Sequence, residues 1–253
     1  MRVLIAAVLA ACSAIAVNTM SHAAEIRVIS ANGMRDVIAD TKDAFERASG
    51  HRLVVTVTET GSIRRRVLGG EAFDVIMAPR EATDAFEQAG KLQPGTAVAL
   101  IRVSFGLAVP SDGPRPDVST PEALKRTLLA AKTVLITDPA SGGISGVHVM
   151  EVLDKLGIAD EMKGKLVPQA GGAFHAERVV RGEADLAAQA EHEIRCVRGA
   201  TFLAYPATLQ RTIIFMGGVG TAAQDVQAAK DYLAFMTGAE TANAYKAHCL
   251  TRG

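Results

Sequence analysis

Strand-like and helix-like apolar patterns alternate along this chain, and few folds accommodate that order. Glu25 to Ser30 alternates as a strand does, while Asp36 to Ser49 carries Val37, Ile38, Ala44, Phe45 and Ala48 at helical spacing and stops at Gly50. Arg52 to Glu59 reads as a second strand, and Thr60-Gly61-Ser62 opens a basic helix, Ile63 to Leu68, closed by Gly69-Gly70. Phe73 to Ala78 is an apolar strand and Glu81 to Ala89 a helix ended by Gly90. Strand followed by helix, three times over, is the pattern of a parallel sheet covered on both faces.

Ile101 to Pro110 reads as one more strand, and Ser111-Asp-Gly-Pro-Arg-Pro116 is the clearest break in composition. A second alternating series follows. It comprises helix Pro121 to Ala130, strand Thr133 to Thr137, helix Gly146 to Lys155, a strand near Lys165 to Pro168, helix Ala173 to Arg181 and strand Leu186 to Ala190. Thr201 to Tyr205 and Thr212 to Met216 are further strands, with closing helices Ala222 to Thr237 and Ala239 to Ala247. The expected result is two α/β lobes.

The first 24 residues have the layout of an export signal: Arg2, an apolar run Val3 to Ala11, and small residues around Ser21 to Ala24. Cys12, after Leu9-Ala-Ala, has the shape of a lipoprotein cleavage site and is the minor alternative. Removing this leader takes Arg2 from 27 Lys+Arg and leaves 27 Asp+Glu, a net charge of about −1 with no long run of either sign. Nucleic acid and polybasic membrane contact are thereby disfavoured. With no Trp, 8 Phe and 3 Tyr, the chain has few ring platforms for sugars. Cys196 and Cys249 could pair in an oxidising compartment or remain as two buried thiols; spacing alone leaves both open.

The stretch Asp138-Pro-Ala-Ser-Gly-Gly-Ile-Ser-Gly-Val-His-Val-Met150 crowds small residues between a strand and a helix. A nucleophile elbow needs Gly where Val147 stands, and Gly164-Lys165 is followed by Leu166, so no phosphate loop forms there. The histidines are scattered, with no Cys or His pair at metal-ligand spacing, and Glu191-His192-Glu193 reads as solvated residues at a strand end. The loop can be an ordinary cap or an anion site built from N–H groups, Ser141, Ser145 and the close approach allowed by Gly142 and Gly143. Two other strand-to-helix turns, Ser30-Ala-Asn32-Gly33-Met34 and Thr58-Glu-Thr-Gly61-Ser62-Ile63, share that chemistry, and in open α/β sheets such turns lie where ligands bind.

Ala24 to Met34, Thr60-Gly61-Ser62 before a helix, Gly69-Gly-Glu-Ala-Phe-Asp-Val-Ile-Met-Ala78 and Asp138-Pro139 before the Gly-rich turn together resemble the periplasmic molybdate-binding proteins of ABC transporters. The resemblance runs from about Glu25 to the C-terminus. It implies a two-lobed type II fold, each lobe a mixed, mostly parallel sheet flanked by helices. Residues 25–108 and 207–253 would form a discontinuous first lobe and 109–206 the second, with a hinge near Val109 and Tyr205. It also implies a periplasmic, monomeric binding protein without cofactor that hands a small anion to a permease. Carried over, the ligand contacts are Asn32, Gly33, Gly61 and Ser62 from the first lobe, and Ser141, Gly142, Gly143, Ser145 and Gln189 from the second. Arg64 is a further charged contact if it faces the cleft.

The chain departs from that family at two points: Asn32 stands for a Ser, and Leu186 to Ala190 stands where a Tyr is expected. Asn32 and Gln189 both donate and accept, which widens the ligand class from molybdate to carboxylates and polar organic anions. The opposing readings are an enzyme in the same cleft, with His192 or Glu191 as base, and a ligand-sensing domain.

Overall fold

The computed structural model describes residues 23–169 and 175–253. The expected leader up to His22, Cys12 and the expected helix start at Ala173 lie outside them. The first sheet is built from β1 (Glu25–Ala31), β2 (Arg52–Thr58), β3 (Val75–Pro79), β4 (Val98–Val103), β10 (Ile213–Val219) and β11 (Thr251–Arg252), in the order β11-β4-β10-β3-β1-β2. The second is built from β5 (Phe105–Pro110), β6 (Val134–Thr137), β7 (Leu166–Gln169), β8 (Leu186–Ala190) and β9 (Ala200–Ala204), in the order β7-β6-β8-β5-β9.

Both sheets are mixed but mostly parallel in direction. In the first, β2, β1, β3 and β4 run together and are opposed by β10 and β11; in the second, β5 alone opposes the other strands. Helices cover them: α1 (Arg35–Ser49), α2 (Thr60–Leu68), α3 (Arg80–Gln88), α9 (Val226–Thr237) and α10 (Ala242–Ala247) with the first, and α4 (Pro121–Ala130), α5 (Ile144–Leu156), α6 (Ala159–Met162), α7 (His175–Val180) and α8 (Glu191–Arg195) with the second. The buried runs of β3, β6 and β8, in which every residue is buried, follow from having helices on both faces.

Several expectations are corrected. The single strand expected over Ile101 to Pro110 is two, β4 and β5, and they belong to different sheets. The chain therefore crosses between sheets at Ser104, not near Val109. The return crossing occupies 205–212, between β9 and β10. The helix expected at Ile63 starts at Thr60, which puts Gly61 and Ser62 inside its first turn. Glu191 to Arg195 is a helix rather than a solvated strand end, reached from β8 with no Gly, Pro or Ser to mark the turn.

One ion pair ties three parts of the first sheet together. Asp74, 1% exposed, accepts from the Arg27 backbone N–H at 2.7 Å, from Arg27 Nε at 2.8 Å and Nη2 at 3.0 Å, and from Gln224 N at 2.8 Å. Although burial opposes ionisation, these hydrogen bonds hold the Asp74 carboxyl below its ordinary range.

Candidate functional site

β1, β2 and β6 each end in a turn that starts a helix or a 3-10 turn, and these turns converge between the sheets. A cavity of about 40 Å³ is walled by Ala31, Asn32, Gly33, Glu59, Thr60, Val103 and Phe215 on the side of the first sheet. Thr137, Ile144, Ser145, Ala190, His192 and Glu193 wall it on the side of the second. It shares Asn32, Gly33, His192 and Glu193 with a chamber of about 360 Å³ that extends to Arg35, Asp36, Glu177, Cys196, Ala247 and His248.

The helix ends at the cavity are left without side-chain caps. In α2 the first intrahelical bond is Ile63 N to Glu59 O, and in α5 it is Val147 N to Gly143 O. The N–H groups of the preceding three residues in each helix have no intrahelical partner, and no side chain caps either one. Thr120 and Asp225 cap α4 and α9, whereas α1, α3, α6 and α10 also lack a side-chain cap, so it is the convergence of the α2 and α5 ends on one cavity that sets them apart. The uncapped ends, with the Thr137 and Ser145 hydroxyls 3.2 Å apart, form a donor surface suited to an anionic group.

Two carboxyls stand among these donors: Glu59 is the N-cap residue of α2, with its Oε2 beside Gly143 at the start of α5, and Glu193 lines the same cavity. Asn32 Nδ2 donates to Glu59 Oε1 at 2.7 Å, and Arg35 Nη2 donates to Asn32 Oδ1 at 2.5 Å. Burial raises the Glu59 carboxyl above its ordinary range, against the pull of the Arg35 charge and the Asn32 bond. Glu193 accepts from Ala190 N at 3.2 Å and from Gln189 Nε2 at 3.4 Å. Burial pushes it up to about 7, and the Glu59 charge adds to the rise. His192 is brought down to about 4, chiefly by burial, and is a neutral imidazole near pH 7; among the described residues its Nδ1 has no partner.

Of the residues expected at the site, Asn32, Gly33 and Ser145 line the cavity. Gly61, Gly142 and Arg64 lie at a shallower recess beside it, together with Thr60 and Arg211. Gly61 and Gly142 touch: a Cβ on Gly61 would stand 3.0 Å from Gly142 Cα. Gly143 packs against Thr137 and Glu59, Ser141 Oγ donates to Asp138 O at 2.7 Å, and Ser62 is partly exposed outside the cavity wall. Gln189 is buried behind the site, accepting from Ala176 N at 2.9 Å and holding the Glu193 carboxyl. Glu191 turns away toward the crossing, bonded to Ser104 Oγ and Arg195.

Sequence reasoning missed Glu59, Thr60, Thr137 and Glu193. Glu59 and Thr60 adjoin a turn already singled out, and Thr137 is the last residue of the strand leading into the Gly-rich loop. Glu193 lies three residues past Ala190, within reach of that residue's N–H. Among the described residues, no group of three or more His, Cys, Asp or Glu is placed to hold a metal. No helix among them is long and apolar enough to cross a membrane. Cys196 and Cys249, left open from spacing, form a disulfide with Cα atoms 5.8 Å apart.

Residues 26–249 match the family of bacterial extracellular solute-binding proteins, and the chain belongs to that family. It is 27% identical over 232 residues to an aconitate isomerase from Pseudomonas sp, covering 87% of this chain and 84% of that one. It is also 27% identical over 167 residues to the molybdate-binding protein ModA of Azotobacter vinelandii, covering 66% and 64%. The solved periplasmic molybdate-binding protein of Azotobacter vinelandii superposes with a TM-score of 0.68 at 17% identity, covering 89% of this chain and 98% of that one. The fold is the two-lobed type II fold of periplasmic binding proteins.

Proposed function

We propose that this chain is an exported, monomeric, periplasmic solute-binding protein that captures a small organic acid between its lobes and delivers it to an ABC permease. One lobe would comprise 25–104 and 213–253 and the other 105–204, hinged at Ser104 and 205–212, with ligand contacts favouring the closed state. The observation that carries this reading is the pairing of uncapped helix ends with Glu59 and Glu193 around one cavity. Molybdate, fully ionised, has no donor for these carboxyls in their ionised form and is met only by their protonated form. An organic acid bearing a hydroxyl or an acid proton offers both an anion for the N–H groups and a donor for the carboxyls. Ser62, Ser141 and Gln189 then support the contacts of Asn32, Gly33, Thr60 and Ser145.

A thermal-shift screen with molybdate, tungstate, sulfate, phosphate, citrate and the two aconitate isomers tests this. A ligand at 100 times its dissociation constant stabilises by about 2.7 kcal/mol. A shift with a carboxylate and none with molybdate is expected; a shift with molybdate alone overturns the choice of ligand.

A second reading is favoured by the Glu193 carboxyl near 7 beside a neutral His192. That pair suits proton removal from carbon and return at another position, the chemistry of an isomerase. The similarity to an aconitate isomerase supports it. Incubation with cis-aconitate, followed by proton NMR, decides: appearance of the trans isomer, lost in Glu193→Gln, would make the chain an enzyme.

A further inference from the structure

The chain joins the two sheets at two crossings, and the Gln210 side chain holds these side by side: the Phe105 N–H donates to Gln210 Oε1 at 3.0 Å, and Gln210 Nε2 donates to Phe105 O at 2.7 Å. A third join is covalent. Cys196 ends α8, in the second lobe, and Cys249 lies between α10 and β11, which pairs with β4 of the first. Helix α8 carries His192 and Glu193 into the cavity and is fixed at both ends. At its start the Glu191 N–H donates to Ser104 O at 2.9 Å, and at its end stands the disulfide.

At the other edge of the cleft, which the return crossing 205–212 reaches at Arg211, no disulfide joins the lobes among the described residues. There Gly61 meets Gly142 by van der Waals contact, and Arg211 pairs with Glu81 and Glu151, one on each lobe. All three side chains are more than a third exposed, and exposed pairs of this kind hold weakly.

We infer that the Cys196–Cys249 bond is a latch that makes the α8 edge of the cleft a fixed side, so that the lobes part only at the Gly61/Gly142 edge. This rests on the two-lobed capture reading. The chamber of about 360 Å³ walled by Cys196, Ala247 and His248 then stays formed in the open state, and ligand enters and leaves past Gly61 and Gly142.

Spin labels on genetically encoded keto side chains leave the native cysteines untouched. One pair, at Leu68 and Val147, spans the Gly61/Gly142 edge; the other, at Glu177 and Lys246, spans the latched edge, and all four residues are exposed. With the disulfide intact, a broad distance distribution is expected at 68/147 and a single narrow one at 177/246. In Cys196→Ser/Cys249→Ser the 177/246 distribution broadens by several ångströms.

If 177/246 stays narrow in the double variant while 68/147 remains broad, the latch is disproved and the capture reading survives. If both pairs are narrow in both proteins, the lobes do not move and the capture reading fails with it. A broad 177/246 distribution with the bond intact also overturns the latch. Should the double variant not fold, the keto-bearing proteins with both cysteines retained are reduced with a phosphine and read with fluorescent labels at the same sites, with the same outcomes. The phosphine gives two electrons to the sulfur pair and takes oxygen from water, leaving two thiols and a phosphine oxide.

Discussion

Gly61 and Gly142 meet backbone to backbone across the cleft: a Cβ on Gly142 would lie 2.7 Å from Gly61 Cα, and one on Gly61 would lie 3.1 Å from the Ser141 carbonyl oxygen. Neither lobe can yield there, because the atoms opposed are main chain. Gly61 sits in the first turn of α2, where alanine is the better helix former by about 1 kcal/mol. Gly61→Ala is therefore expected to leave the melting temperature unchanged or slightly raised, while weakening binding of the acid found by the thermal screen about tenfold. Calorimetry with that acid checks the second half. A fall in both quantities would mean that the contact matters for folding rather than for closure.

Glu193 gives a pH dependence with a definite sign. Its carboxyl is raised to about 7 from an ordinary value near 4.5, so the folded state holds the proton more tightly than the unfolded state. The associated stability is complete below about 4.5 and is lost as pH rises through 7, amounting to about 3 kcal/mol. Glu193→Gln should flatten the urea-unfolding free energy across that window. An unchanged slope would place the raised carboxyl elsewhere.

Asp74 gives the opposite sign. Its carboxyl is held low by Arg27 and two backbone N–H groups, so its contribution is present above the ordinary value and lost as pH falls through the depressed one. Asp74→Ala leaves Arg27 without its partner and is expected to cost about 3–5 kcal/mol. Chemical denaturation at pH 7 measures it.

Glu59 sets selectivity between ionised and protonated ligands. Glu59→Gln removes a negative charge from the cavity wall, while an amide oxygen remains to accept from Asn32. Affinity for fully ionised oxyanions such as sulfate or molybdate should rise about tenfold, and affinity for the organic acid should fall. Titration calorimetry with sulfate and with citrate would expose the idea as wrong if both moved the same way.

Most of the architecture was legible because the helices and strands carry their own punctuation. Gly50 and Gly157 adopt the left-handed conformation that ends α1 and α5, and Pro121 opens α4 at the position where its missing N–H costs nothing. The split at Ser104 was hidden because a strand leaving one sheet and entering another keeps the same β-type residues throughout. Asn32, Gly33 and Ser145 were legible as small polar residues in strand-to-helix turns. Glu59 and Glu193 were not, since a carboxyl on a turn is ordinary at the surface. What singles them out is that elements 134 residues apart bring them to one cavity, which local pattern does not encode.

The return of β10 and β11 to the first sheet also orders assembly in time. A chain appearing N-terminus first completes β5 to β9, and with them every strand of the second sheet, before the strand that joins β3 to β4 exists. The N-terminal half, though earliest to emerge, is the last to close, and until residue 219 has arrived β3 lacks its β10 partner. Truncation a few dozen residues from the end would consequently damage the beginning of the molecule more than its middle, and the final covalent bond to Cys249 marks the moment when both halves are in place.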